Sequence, residues 1–331
     1  MNKQKTAAYA LHILRSVIYG STFIFSERLL RSASVFDVLA IRFLICAVLF
    51  GALAAFGVIH ISFRGKRLRW LLATAMFEPV MYFIFETYGL RGISTSLAGI
   101  LAAVDPIIIA VLETLFLGEK TSLLQKLLLG VGISGVMLAT VFDSASSGEN
   151  TVWGILLMLA AQLSGCLFCI CSRKTSEEYS AFEITFFTTV IGAVVFNGIS
   201  LAEHIGAGTV SQYFAPLFNA QNLICFLFLS VVSSFAATVM NNFALSKIQA
   251  SSLSALGGIS TITAIVLGVV INREIIHWYQ LVGACLFLSV RAASICCLRE
   301  ISRYSSAKAF YALFVVKTIC ANRHIFIKPG F

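Results

Sequence analysis

Ten apolar runs, each long enough to cross a bilayer, constrain this chain more than any other feature. A membrane-spanning helix needs about 20 apolar residues to cover roughly 30 Å of hydrocarbon. Such runs lie near 8 to 27, 36 to 59, 68 to 89, 93 to 117, 123 to 142, 151 to 172, 182 to 202, 221 to 244, 249 to 271 and 277 to 297. Backbone polar groups must find partners inside the chain when lipid surrounds it, so runs of this length predict helices. Alternating segments of about ten residues, the mark of a transmembrane barrel, are not found. With 59% hydrophobic and 12% charged residues and a mean hydropathy of +0.92, a soluble domain is excluded. The expected class is an all-α integral membrane protein with ten transmembrane helices, its immediate partner the lipid bilayer.

A formal net charge of +9 raises the question of nucleic acid, and the placement of the charge answers it. If the N-terminus is inside, Lys3, Lys5, Arg64, Lys66, Arg67, Arg69, Lys120, Lys126, Arg173, Lys174, Lys247, Arg299, Arg303, Lys308, Lys317, Arg323 and Lys328 fall on the inner side. Only Arg28, Arg31, Arg91 and Arg273 fall outside, and Arg15, Arg42 and Arg291 lie within spans. Seventeen against four predicts both termini in the cytoplasm of a multi-pass cell-membrane protein. The basic excess orients the chain, and no nucleic-acid partner is expected. Lys3 and Lys5 before an apolar run resemble a signal peptide, but no small-residue cleavage site follows cleanly, so the first run is kept as a helix. The nine cysteines are nearly all inside spans and read as small apolar residues. Cys166, Cys169 and Cys171 have ligand-like spacing without an accompanying His or second Cys pair, so neither metal nor cofactor is expected.

The two halves repeat. At an offset of 155, Leu90 meets Leu245, Ser96 meets Ser251, Leu101 meets Leu256, Glu119 meets Glu274 and Gln125 meets Gln280. Upstream, "FDV" (36 to 38) matches "FEI" (182 to 184) at an offset of 146. This predicts a first five-helix repeat over 8 to 142, a polar linker "DSASSGEN" (143 to 150), a second repeat over 151 to 297 and a basic tail over 298 to 331. An odd number of spans per repeat inserts the second upside down, an architecture common among secondary transporters. "YGSTFIF" (19 to 25), "AIRFL" (40 to 44), "VDPIII" (104 to 109) and "LFLGEKTSLLQ" (115 to 125) resemble the EamA-type repeat of the drug/metabolite transporter superfamily. The second half departs from that pattern, with Thr261 where Pro106 would repeat and "NRE" (272 to 274) in place of "LGE". The resemblance implies a ten-helix carrier of small organic metabolites or drugs, with a central cavity lined by both halves.

Ionisable residues at membrane depth are costly, about 2.5 to 3.5 kcal/mol on insertion scales, and face a cavity or a partner. Arg42 in the second span, Glu78 and Glu86 in the third and Asp105 and Glu113 in the fourth are such residues. Glu78 and Asp105 stand near mid-span, each followed by a proline, Pro79 and Pro106, which removes an N–H and kinks the helix. Freed backbone beside an acid suits ion or substrate binding. Glu78, Tyr82 and Glu86 step by four, which on a regular helix forms one stripe, expected to line a path from the outer face to the midplane. The structural alternative pairs the acids with Arg42. In the second half Asn241 and Asn242 form a polar pair, Asn241 in register with Glu86. They serve either solute contact or helix-to-helix hydrogen bonding.

The expected function is a secondary active transporter working by alternating access, with protons as the coupling ion and a cationic or zwitterionic solute favoured by the acidic interior. A channel or a non-transporting scaffold is the alternative. "GISG" (132 to 135) matches a motif of intramembrane serine proteases, but that chemistry needs a histidine base. All five histidines are assigned to span ends, loops or the tail, so an enzyme is not expected. No GxxxxGK[ST] loop is present to drive a pump with ATP.

Overall fold

The computed structural model describes residues 3–105, 108, 109, 111, 112, 115 and 151–273, all in helices and their connections, with no strand among them. α1 spans Lys3–Leu30, α2 Val35–Ala55, α3 Leu68–Leu90 and α4 Thr95–Leu101. In the second half α5 spans Val152–Thr175, α6 Ala181–Ala207, α7 Ala220–Lys247, α8 Ala250–Leu256 and α9 Gly258–Asn272. Five of these, α2, α3, α5, α6 and α7, are long and apolar enough to cross a membrane. The runs at 123 to 142 and 277 to 297, the linker, the tail, Pro106, Glu113, Glu119, Glu274 and Arg291 lie outside the described residues.

Local chemistry explains where these helices begin. The side chains of Ser34, Ser94 and Thr151 each accept from a backbone N–H in the first turn of α2, α4 and α5. Ser180 and Glu183 form a reciprocal capping box at α6. Val48, Leu72, Leu156, Val194, Ile224 and Val270 remain exposed on outward faces, as lipid contact requires.

The bundle packs first half against second: α2 on α6, α3 on α5, α1 on α7 and α9, and α4 on α9. Small residues set the closest approaches. A Cβ on Gly20 would collide with the Ser260 carbonyl of α9, and one on Gly192 would lie 2.7 Å from Pro79 and 2.8 Å from Phe43. Apart from Arg15 and Arg42 inside the bundle, the basic residues of the loops and helix ends divide by end. Arg64, Lys66, Arg67, Arg69, Arg173, Lys174 and Lys247 gather at one, where Lys66 pairs with Glu183 and Lys174 lies over Trp70. Arg28, Arg31, Arg91 and Arg273 lie at the other.

Regular helix fails in the middle of the bundle. Met76–Met81 of α3 is π-helical around Glu78, whose extended backbone (φ −140°, ψ 120°) is what a residue before proline adopts. The Glu78–Pro79 peptide is cis. The Phe77 carbonyl accepts from the Tyr82 N–H and also from Ser164 Oγ at 2.8 Å. α4 tightens into a 3₁₀ turn over Ala102–Val104. α7 is π-helical over Phe228–Ala237, and a turn at Gly257 separates α8 from α9.

Candidate functional site

Three of these interruptions, in α3, in α4 and between α8 and α9, line a cavity of about 70 Å³. α1 contributes His12, Arg15, Tyr19 and Phe23; α3 contributes Glu78 and Tyr82. Ala102 and Asp105 come from the α4 segment, Gln162, Cys166 and Cys169 from α5, Asn241 and Leu245 from α7, and Gly257 and Ser260 from the α8–α9 break.

Glu78 is 7% exposed, and its Oε1 accepts from Tyr19 Oη at 3.0 Å. The same tyrosine ring carries the Arg15 guanidinium, 3.8 Å from its centroid. Tyr19 thus joins the acid and the base of one wall. Glu78 also borders a second cleft of about 10 Å³, lined by Thr188, Thr189, Ser234 and Thr238 and by Phe43, Pro79, Phe83 and Phe168. Asp105, half-buried, faces the cavity beside Cys166, whose thiol lies 3.8 Å from Oδ1.

The residues singled out from sequence fall into two groups. Glu78, Tyr82, Asp105 and Asn241 line the cavity. Arg42, Glu86 and Asn242 are enclosed elsewhere and do not line it. Arg42 donates to Ser234 Oγ at 2.7 Å and Ser233 Oγ at 3.1 Å, and lies over Phe83 at 4.3 Å. It anchors the π-helical turn of α7 and forms no ion pair with either acid of α3 among the described residues. Glu86, 3% exposed, accepts from Tyr82 Oη at 3.0 Å. The stripe drawn through Glu78, Tyr82 and Glu86 assumed regular helix, and the break at Glu78 divides it. Asn242 accepts from Ser172 Oγ at 2.7 Å and donates to Thr185 Oγ1 at 2.9 Å, a cross-helix bond that holds α5, α6 and α7 together. Pro79 packs on Gly192, and Pro106 lies outside the described residues.

Two cavity residues escape the sequence reading. Arg15 reads from sequence only as a charge within a span, although its spacing of four from Tyr19 carries the signal. His12, assigned to a span end, is 3% exposed and in the cavity wall. α1 begins at Lys3, well before the apolar run, which places His12 nearly three turns inside the helix.

The cavity extends toward the end rich in basic residues, through His12, Leu245, Ala250 and Leu253. At the other end Glu27 ties three helices together. Its carboxylate accepts from Thr95 Oγ1 at 2.7 Å, from Asn272 Nδ2 and from Arg31 at 2.8 Å.

A multi-pass helical membrane protein with a polar cavity at its broken helices is the class this fold defines. The EamA-like transporter family is matched twice, over residues 6–141 and 152–290. The chain belongs to this family and is a membrane transporter. It is 34% identical over 293 residues to the uncharacterized transporter YcxC of Bacillus subtilis (strain 168), covering 88% of this chain and 94% of that one. It is 25% identical to the uncharacterized transporter YetK of the same organism, over 86% of each chain. Arabidopsis thaliana has a similar WAT1-related chloroplastic protein, 25% identical over 65% of this chain and 51% of its own. A crystal structure 15% identical in sequence shares the fold, with a TM-score of 0.62 over 89% of this chain and 99% of that one.

Proposed function

We propose that the chain is a secondary carrier that moves small organic solutes across the cell membrane by alternating access, with Glu78 carrying the coupling proton. The observation behind this reading is the position of the four helix interruptions. At the offset of 155, the break at 76–81 in α3 falls within 228–237 of α7, and the break at 102–104 in α4 meets Gly257. Interrupted helices at matched positions of two repeats mark a transporter's binding site, because freed backbone there is tolerated only where it lines a cavity.

The helix pairings support two inverted five-helix repeats over 8 to 142 and 151 to 297. Exchanging the halves carries α2 on α6 into itself, and α1 on α7 into α5 on α3. The distribution of Lys and Arg supports both termini in the cytoplasm. In that orientation the cavity faces inward and the Glu27 cluster closes the outer end. A carboxyl group bonded to Tyr19 and bordering both the cavity and a smaller cleft is suited to take a proton from one side and return it to the other as the bundle rocks.

Counterflow in proteoliposomes tests the carrier reading. Vesicles preloaded with unlabelled solute should transiently concentrate labelled solute when the chain is present, because a carrier exchanges one for the other. Simple equilibration without an overshoot would identify a channel, and no flux for any solute tested would identify a scaffold.

A further inference from the structure

We propose that Arg15 recognises the solute and that the solute carries a carboxylate. The inference rests on the cavity being the solute site. Arg15 stands in the cavity wall with its guanidinium stacked at 3.8 Å on Tyr19. Stacking orients the guanidinium plane but uses none of its five N–H donors. Among the described residues Arg15 makes no hydrogen bond and no ion pair, and its Nε is fully enclosed without an acceptor.

Three other basic groups have partners, whereas Arg173 shares with Arg15 a buried nitrogen without an acceptor but lies outside the cavity. Arg42 has Ser233 and Ser234, Lys66 has Glu183 and Arg31 has Glu27. Glu78, the acid that shares Tyr19 with Arg15, takes the tyrosine hydroxyl instead of the guanidinium. An oriented cation with unused donors at membrane depth is costly unless an anion meets it. The guanidinium fork fits a planar two-oxygen acceptor, so a carboxylate is the complementary group. Asp105, Gln162, Asn241 and Ser260 remain on the other walls for the rest of a small molecule, including the ammonium of a zwitterion. The class is therefore small amino acids and short carboxylic acids, with the corresponding amides and amines excluded.

The test uses the purified full-length chain in detergent, with propionate, L-alanine, propionamide and propylamine as probes in thermal-shift titrations. Propionate and L-alanine should raise the melting temperature, and the amide and the amine should not. Arg15→Gln should weaken propionate binding about tenfold to a hundredfold, the worth of a charge-assisted pair, and Arg15→Lys should restore part of it. Stabilisation by propionamide or propylamine equal to that by propionate overturns the assignment, and the wild-type chain suffices for this comparison. So does equal propionate binding by wild type and Arg15→Gln, or no response of the wild type to either carboxylate. Counterflow of neutral or cationic solutes in that last case would leave the carrier reading standing and remove only the carboxylate.

Discussion

Glu78 and Arg42 are both ionisable side chains inside the bundle, and their surroundings give them different work. Arg42 is 2% exposed and its donors are taken by Ser233 and Ser234. Replacing it with Met should therefore cost stability, because it removes the anchor of a π-helical turn, and Arg42→Lys should recover only part of the loss because an ammonium lacks the fork. The measurement is the melting temperature in detergent, with a drop of several degrees expected for Arg42→Met. Gly192→Ala should lower it too, since its Cβ would press on Pro79 and Phe43 in a wall that cannot move apart. At this scale Glu78, Tyr82, Asp105 and Asn241 were legible in the sequence, because a polar group in an apolar run announces a cavity or a partner. Which of the two it announces was not legible. Arg42, Glu86 and Asn242 look the same in sequence as the cavity residues, and only the positions of Ser234, Tyr82, Ser172 and Thr185, far apart along the chain or on another helix face, distinguish them.

At the scale of the element, α3 and α7 are read as single spans from hydropathy, and as spans they hold: Leu68–Leu90 and Ala220–Lys247. The break in α3 was legible at Pro79, because a proline and the restricted residue before it are local signals. The π-helical turn of α7 contains no proline and was not legible, since it depends on Arg42 and other tertiary partners. Ser164 gives the Phe77 carbonyl a second hydrogen bond, across the α3–α5 contact. Ser164→Ala should cost about 0.6 to 2 kcal/mol, the range of polar contacts between membrane helices, visible as lower thermal stability without loss of solute binding. The Glu27 cluster joins α1, α4 and α9 at the end away from the cavity mouth. Glu27→Ala should loosen that end, and a cysteine at Phe23 should then react about tenfold faster with an impermeant maleimide added outside, in line with the loss of a charged hydrogen bond. An unchanged rate would mean that the cluster is not a closure.

At the scale of the whole molecule, the number of runs, their alternation and the uneven charge gave the helical membrane class directly, because bilayer thickness and the cost of an unpaired backbone admit few solutions. Which helix packs on which was not legible, since every span is apolar on several faces and small residues such as Gly20 and Gly192 gain meaning only from what approaches them. The inverted repeats proposed above make a further prediction. Arg64 and Asn219 are exposed and related by the offset of 155. In a background without the nine native cysteines, Arg64→Cys should label only from the cytoplasmic side and Asn219→Cys only from outside. Labelling of both from one side would refute the inverted arrangement.

The central claim is that Glu78 couples a proton to solute movement through the cavity, and transport in proteoliposomes with and without an imposed pH gradient tests it most directly. Glu78→Gln keeps the shape of the side chain and holds it neutral. The account predicts that this variant loses accumulation driven by the pH gradient while equilibrium exchange of solute continues near the wild-type rate. Accumulation against the solute gradient at the wild-type level by Glu78→Gln would contradict it.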